Sequence, residues 1–209
     1  MAADPNRAAG TWVTQRSRRE TLHVWILLAI FAAAMLGGGL AARVGWLSSR
    51  EGASVGLGIV ALALLSFRAA ELRSRQALAW VLGSRAERDV GGDLNRLRVD
   101  GLLVMHDLEP DGRGNIDHVV CGQTGVFAVE TKARRYEVRH LKQVKRQAYW
   151  VRTRTGVWCT PVICLATRDD TPHRREGVWI MGRPHLVEWV RAQRGRPVDP
   201  DQAREGLCA

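Results

Sequence analysis

The chain has 209 residues, enough for one soluble domain of ordinary size and an additional segment, and too few for several large domains. Its 31 Lys and Arg against 21 Asp and Glu give a net charge of +10, which speaks of polyanionic partners or an anionic membrane face and not of a fold. The four cysteines, Cys121, Cys159, Cys164 and Cys208, form no CxxC pair and so argue against a disulfide framework or a zinc site, and for small buried thiols in a reducing compartment.

From Val24 to Ala42 runs an uncharged stretch of nineteen residues. At helical rise it spans about 28 Å, close to the hydrocarbon thickness of a bilayer. A second run, Ala53 to Phe67, covers about 22 Å and needs its small polar flanks to reach across. The expectation is a two-helix transmembrane hairpin over 22–72, preceded by a cytoplasmic tail (1–21) and followed by a helical linker (73–83). A cleavable signal peptide ending near Gly39-Leu40-Ala41 is the alternative for the first run. Arg7, Arg16, Arg18 and Arg19 precede the first span and Arg68, Arg73 and Arg75 follow the second, with only Arg43 and Arg50 between. The excess of arginine outside the pair predicts both ends on the cytoplasmic face of the cell (inner) membrane.

The rest, 84–209, reads as a soluble α/β domain. The helix after the membrane is expected to break near Gly83-Ser84. A new helix then begins, with Glu87, Val90, Leu94 and Leu97 on one face. "LLVMHDL" reads as a strand and "EPDGRGN" as a turn-rich loop. A hairpin follows over "NIDHVVCGQTGVFAVETK", then a helix over "VRHLKQVKRQAYWVR", strands at "WCTPVICLA" and "GVWIMG", and a closing helix at "PHLVEWVRAQ". That order, one helix, three antiparallel strands, a helix, two strands and a helix, predicts an α/β sandwich around a central mixed sheet.

The hairpin carries the chemistry. With an even-numbered turn at Gly122-Gln123-Thr124-Gly125, Asp117 lies opposite Glu130, with Cβ atoms about 5 Å apart on one face. Lys132 projects from the same face. A three-residue loop would shift the register by one and separate them. Two carboxylates so placed repel each other and lose hydration, so a proton, the lysine or a divalent cation must compensate. Removing either one is therefore expected to raise the stability of the metal-free protein. The plainer reading is that Lys132 simply neutralises a surface pair. Ile116, Val119, Val120, Val126, Phe127 and Val129 place the pair in a buried sheet instead, where a charged triad is costly unless it has a role.

These residues resemble the central signature of the NERD (nuclease-related) domain, itself similar to the PD-(D/E)XK nucleases. That pattern is an Asp on one strand and Glu-x-Lys on the next, here Asp117, Glu130 and Lys132, with Ile116 where many relatives carry Pro. The resemblance spans roughly Ser84 to Val190. It departs from the family at "SRAERDV", which keeps only Glu87 of the usual opening, and at "ARRYEV" after the lysine.

The resemblance implies a PD-(D/E)XK-like fold, with Asp117 and Glu130 holding Mg²⁺ or Mn²⁺ and Lys132 orienting a water. It also implies a third acidic residue, Glu87, on the preceding helix, and a glutamine, Gln143, on the helix after the lysine. Glu87 equally completes a Ser84-x-x-Glu87 capping box, a purely structural role. Gln143 is equally a surface residue beside an apolar stripe.

Residues 132–154 hold nine Lys and Arg against Glu137 alone. Arg134, Arg135, Lys142, Lys145, Arg146 and Tyr149 are candidate contacts to DNA or RNA, phosphates on the cations and a base on the ring. The same stretch also reads as a solvated helix face. His106, His118 and His140 lack metal-ligand spacing and read as structural or surface histidines. The expected function is a membrane-anchored, metal-dependent nuclease, as a homodimer if it cuts both strands of a duplex. The alternative is a non-catalytic module on the same fold that binds nucleic acid, a nucleotide or a protein.

Overall fold

The computed structural model describes residues 11–43, 50–110 and 114–209. Arg7, the connection 44–49 and residues 111–113 of the predicted loop lie outside the described residues. The chain divides into two compact units, with a boundary between Val81 and Leu82.

The N-terminal unit consists of helix α1 (Thr11–Arg43) and most of helix α2 (Arg50–Leu94). Both helices are long and apolar enough to cross a membrane by length and composition. Alanine and leucine dominate them, residues that lose little side-chain freedom in a helix. Large apolar side chains stand exposed along both, Leu36, Leu57 and Leu65 at 70% or more. Phe31 and Phe67 meet at 5.6 Å between ring centroids. On the polar stretch of α2, Glu71 pairs with Arg68 and Arg75, one turn to either side.

α2 continues unbroken through Gly83-Ser84. The predicted break is absent because glycine costs a helix only about 1 kcal/mol. The turns that follow offset this by burying Ala86, Val90 and Leu94. The helix tightens into a 3₁₀ turn over Asn95–Asp100, closed by Gly101 in the left-handed conformation.

The second unit is built on a sheet that orders its strands β1-β2-β3-β4-β6-β5. These are β1 (Leu103–Leu108), β2 (Ile116–Gly122), β3 (Gly125–Lys132), β4 (Cys159–Leu165), β5 (His173–Arg175) and β6 (Val178–Gly182). The first three pair antiparallel, β3, β4 and β6 run parallel, and β5 closes the edge antiparallel. The sheet is therefore mixed, as the sequence predicts.

Helices α3 (Val138–Thr155) and α5 (Pro200–Cys208) cover one face, with Ala148, Val151, Ala203 and Leu207 against Val119, Cys121, Val126 and Ala128. The end of α2 and helix α4 (Arg183–Ala192) cover the other, with Val90, Leu94, Leu186 and Val190 against Val120, Phe127 and Val129. With both faces covered, β2 and β3 are buried almost throughout. The short β5 and the helix α5 are additional to the predicted elements. α5 starts where Asp199 accepts from the Asp201 and Gln202 backbone N–H groups ahead of Pro200. Cys121, Cys159 and Cys164 are free and buried.

Candidate functional site

The β2–β3 turn has two residues, Gln123 and Thr124, between the paired Gly122 and Gly125. Gly125 is needed there: its φ is +121°, and a Cβ would stand 3.2 Å from the Cα of Gly195. The last ladder pair in the other direction is His118 with Val129. One step beyond, Asp117 faces Glu130, so the even register holds. The strands part at that point, and the Thr131 N–H donates to Asp117 Oδ2 at 2.7 Å. Alternation along β3 puts Glu130 and Lys132 on the face of Val126 and Ala128, under α3.

Glu130 is 1% exposed and receives three side-chain hydrogen bonds. The Lys132 ammonium and Gln143 Nε2 donate to Oε1 at 2.5 and 2.8 Å. Gln147 Nε2 donates to Oε2 at 2.8 Å and also to the Asn115 carbonyl at 2.8 Å. Gln143 and Gln147 lie one turn apart on α3 and converge on the same carboxylate. Gln143 is thus turned inward, away from a surface role. Sequence reasoning missed Gln147, although its i+4 spacing from Gln143 was legible.

Glu87 lies within α2, and Ser84, also inside the helix, is buried. Neither marks a helix start, so the capping-box reading of Ser84-x-x-Glu87 is overturned. Glu87 Oε2 is buried with no hydrogen-bond partner. Burial, then the charges of Asp107 and Glu130, push the Glu87 carboxyl up to about 7. Burial, then Glu130 and Glu87, raise Asp117 well above the carboxylate range. Burial acts to lower the Lys132 ammonium, but Glu130, Asp117 and Glu87 outweigh it and the group is held charged. Glu87, Asp117, Glu130 and Lys132 therefore share one electrostatic site.

Asp107 was not foreseen. It is 3% exposed with φ +51°, and its Oδ1 accepts from Asn115 Nδ2 at 2.9 Å. Its signal, one step from the pair His106 and His118 and so facing Asp117, becomes readable only once the register is known.

As donors, Asp117 and Glu130 are the hard oxygen ligands that Mg²⁺ or Mn²⁺ takes. The unpartnered Glu87 oxygen and the mutual repulsion of three carboxyl groups fit a cation there. Among the described residues, no three His, Cys, Asp or Glu side chains stand close enough to hold a metal together. Lys132 and Gln143 occupy the Glu130 oxygen that a cation would use.

The remaining candidates lie apart from this cluster. Arg134 and Arg135 are exposed in the bend after β3, and Lys142, Arg146 and Tyr149 are exposed on α3, Tyr149 at 67%. Lys145 stands 3.8 Å from Glu176. His106 and His118 are buried and bonded to each other, and His140 accepts from the Glu137 N–H at the start of α3.

Against curated proteins, no match is found. A crystal structure of a repair endonuclease from Pyrococcus abyssi aligns at 19% identity and a TM-score of 0.29, a likeness too slight to argue from. That alignment covers 51% of this chain and 42% of the other. Residues 82–166 match the family model described as the nuclease-related domain, NERD. The segment that carries Glu87, Asp117, Glu130, Lys132 and Gln143 is, over those residues, similar to the nuclease-related domain.

Proposed function

We propose that this chain is a membrane-anchored nuclease that hydrolyses phosphodiester bonds of DNA or RNA with Mg²⁺ or Mn²⁺ at the cytoplasmic face. The observation that carries the reading is the gathering of Glu87, Asp117, Glu130 and a charged Lys132 at one end of the β2–β3 hairpin. Asp117 and Glu130 would hold the ion. When bound, it supplies Lewis acidity and a water of lowered pKa. Lys132, protonated beside Glu130, donates toward the attacking water and the charge developing on the phosphate. Gln143 and Gln147 fix the Glu130 carboxylate from above. The cations at 134–146 meet the backbone phosphates on either side. The two apolar helices supply the anchor, and the arginine bias sets the orientation.

One observation favours the non-catalytic module instead. Glu130 is already satisfied by protein donors, as a structural carboxylate would be. The test is cleavage of single- and double-stranded DNA and RNA by the full chain in detergent, with Mg²⁺, Mn²⁺ or chelator. Cleavage that chelator and Asp117→Asn both abolish supports the nuclease. Binding without cleavage under every condition leaves the module.

A further inference from the structure

Two histidine rings are buried together in an otherwise apolar layer beneath the site. His106 on β1 and His118 on β2 are register partners, 4% and 0% exposed. They meet edge to face, with Nδ1 to Nδ1 at 2.9 Å. His106 Nε2 reaches Asn95 Oδ1 at 3.1 Å, and His118 Nε2 reaches Thr131 Oγ1 at 3.1 Å. Thr131 is the residue whose N–H clasps Asp117 Oδ2.

The four groups form one chain with a single sense. Asn95 Oδ1 can only accept, so His106 carries its proton on Nε2 and leaves Nδ1 as an acceptor. His118 must then donate from Nδ1, and its Nε2 accepts the Thr131 hydroxyl. Turning the Asn95 amide over reverses every donor and leaves the chain equally complete. In both senses the two rings are opposite tautomers; a second proton on His106 would set N–H against N–H, and burial disfavours one on His118. Burial, and then Arg98, holds His106 down to about 4, in keeping with a neutral ring.

Burying two imidazoles among Val104, Val120 and Val129 costs desolvation that an apolar pair would not. What the rings deliver is a fixed Thr131 at the point where the β2–β3 ladder has ended. There the strand is held to β2 by the Thr131 hydroxyl on one side and by its N–H on Asp117 on the other.

We propose that the buried chain Asn95–His106–His118–Thr131 positions the Asp117 carboxylate, with His118 and Thr131 as positioning residues for the site. The consequence for metal binding rests on the nuclease reading; the consequence for Asp117 itself does not. Hydrogen bonds of this kind, one shell behind a ligand, are typically worth 10–100-fold in metal affinity.

The test uses the full chain in detergent with Thr131→Val, which keeps the shape and loses the hydroxyl, and Thr131→Ser, which keeps the hydroxyl. Three quantities are read: exchange of the residue-131 amide proton, the ¹⁵N tautomer signature of the two histidines, and Mn²⁺ affinity by calorimetry. We expect opposite tautomers in wild type and faster amide exchange in Thr131→Val. Mn²⁺ affinity should be lower in Thr131→Val by about 10–100-fold, and serine should restore both quantities. Identical tautomers overturn the proposal, and so does a valine variant that exchanges and binds like wild type, whatever its melting temperature. If wild type takes up no Mn²⁺, the nuclease reading fails and amide exchange alone decides: fast only in valine supports the positioning chain, and equal in all three refutes it.

Discussion

Glu130 and Asp117 are both buried carboxylates, yet their surroundings predict opposite responses to the same isosteric change. Asp117 is held by one backbone N–H and pressed by the charges of Glu130 and Glu87. Asp117→Asn keeps an acceptor for Thr131 and removes the repulsion, so the metal-free protein should melt higher. Glu130 faces three donor side chains. Glu130→Gln turns an NH₂ group toward them, which leaves donors unmatched at about 1–3 kcal/mol and should lower the melting temperature. The sequence alone predicts that either change stabilises; at Glu130 the structure predicts the opposite, because repulsion was legible there and the converging donors were not. Lys132→Ala frees Glu130 Oε1 of its ammonium. Mn²⁺ affinity should hold or rise, while turnover falls by about 10²–10³-fold, the loss of one preorganised charge. Glu87 adds a pH signature. Its folded carboxyl titrates at about 7 against an ordinary 4.5. Between those values the folded state keeps a proton that the unfolded state has released, so stability falls as pH rises through the window. Glu87→Gln should flatten that slope in thermal melts without metal.

The hairpin was readable in advance because its signals are local: a glycine-bounded turn of two residues, period-two burial and a fixed offset from Asp117 to Glu130. α2 was not. Gly83-Ser84 reads as a stop, and only packing of Val90 and Leu94 against β-strands distant in sequence carries the helix through it. That continuity also turns Glu87 from a cap into a member of the site. α5 had a legible start in Asp199-Pro200 that competed with a strongly polar run. On α3, the buried Leu141, Val144, Ala148 and Val151 leave Lys142, Arg146 and Tyr149 outward. If this face tracks a phosphate backbone, the logarithm of affinity should fall linearly with that of salt, by about 0.7–0.9 per phosphate neutralised. Replacing Arg134, Arg135, Lys142 and Lys145 by Gln should flatten the line in a fluorescence-anisotropy titration. An unchanged slope assigns the face to solvent.

The chain joins an apolar helical pair to a basic α/β domain, and each half accounts for its own positive charge. Residues 1–84 hold nine basic and four acidic side chains, and residues 85–209 hold 22 and 17. The first excess suits the cytoplasmic flanks of two membrane spans, the second a polyanion. A reporter active only in the cytoplasm should therefore work when fused after Ala209 and fail when inserted at Ser49. The reverse pattern would overturn the hairpin. At the centre of the account stands the claim that the carboxylate end of the β2–β3 hairpin takes a divalent ion. Calorimetric titration of Mn²⁺ into the full chain, beside Asp117→Asn, Glu130→Gln and Lys132→Ala, addresses that claim directly. The account predicts saturable uptake by wild type and by Lys132→Ala, and none by either carboxylate variant. Absence of uptake by wild type at millimolar Mn²⁺, or equal uptake by all four proteins, would contradict it.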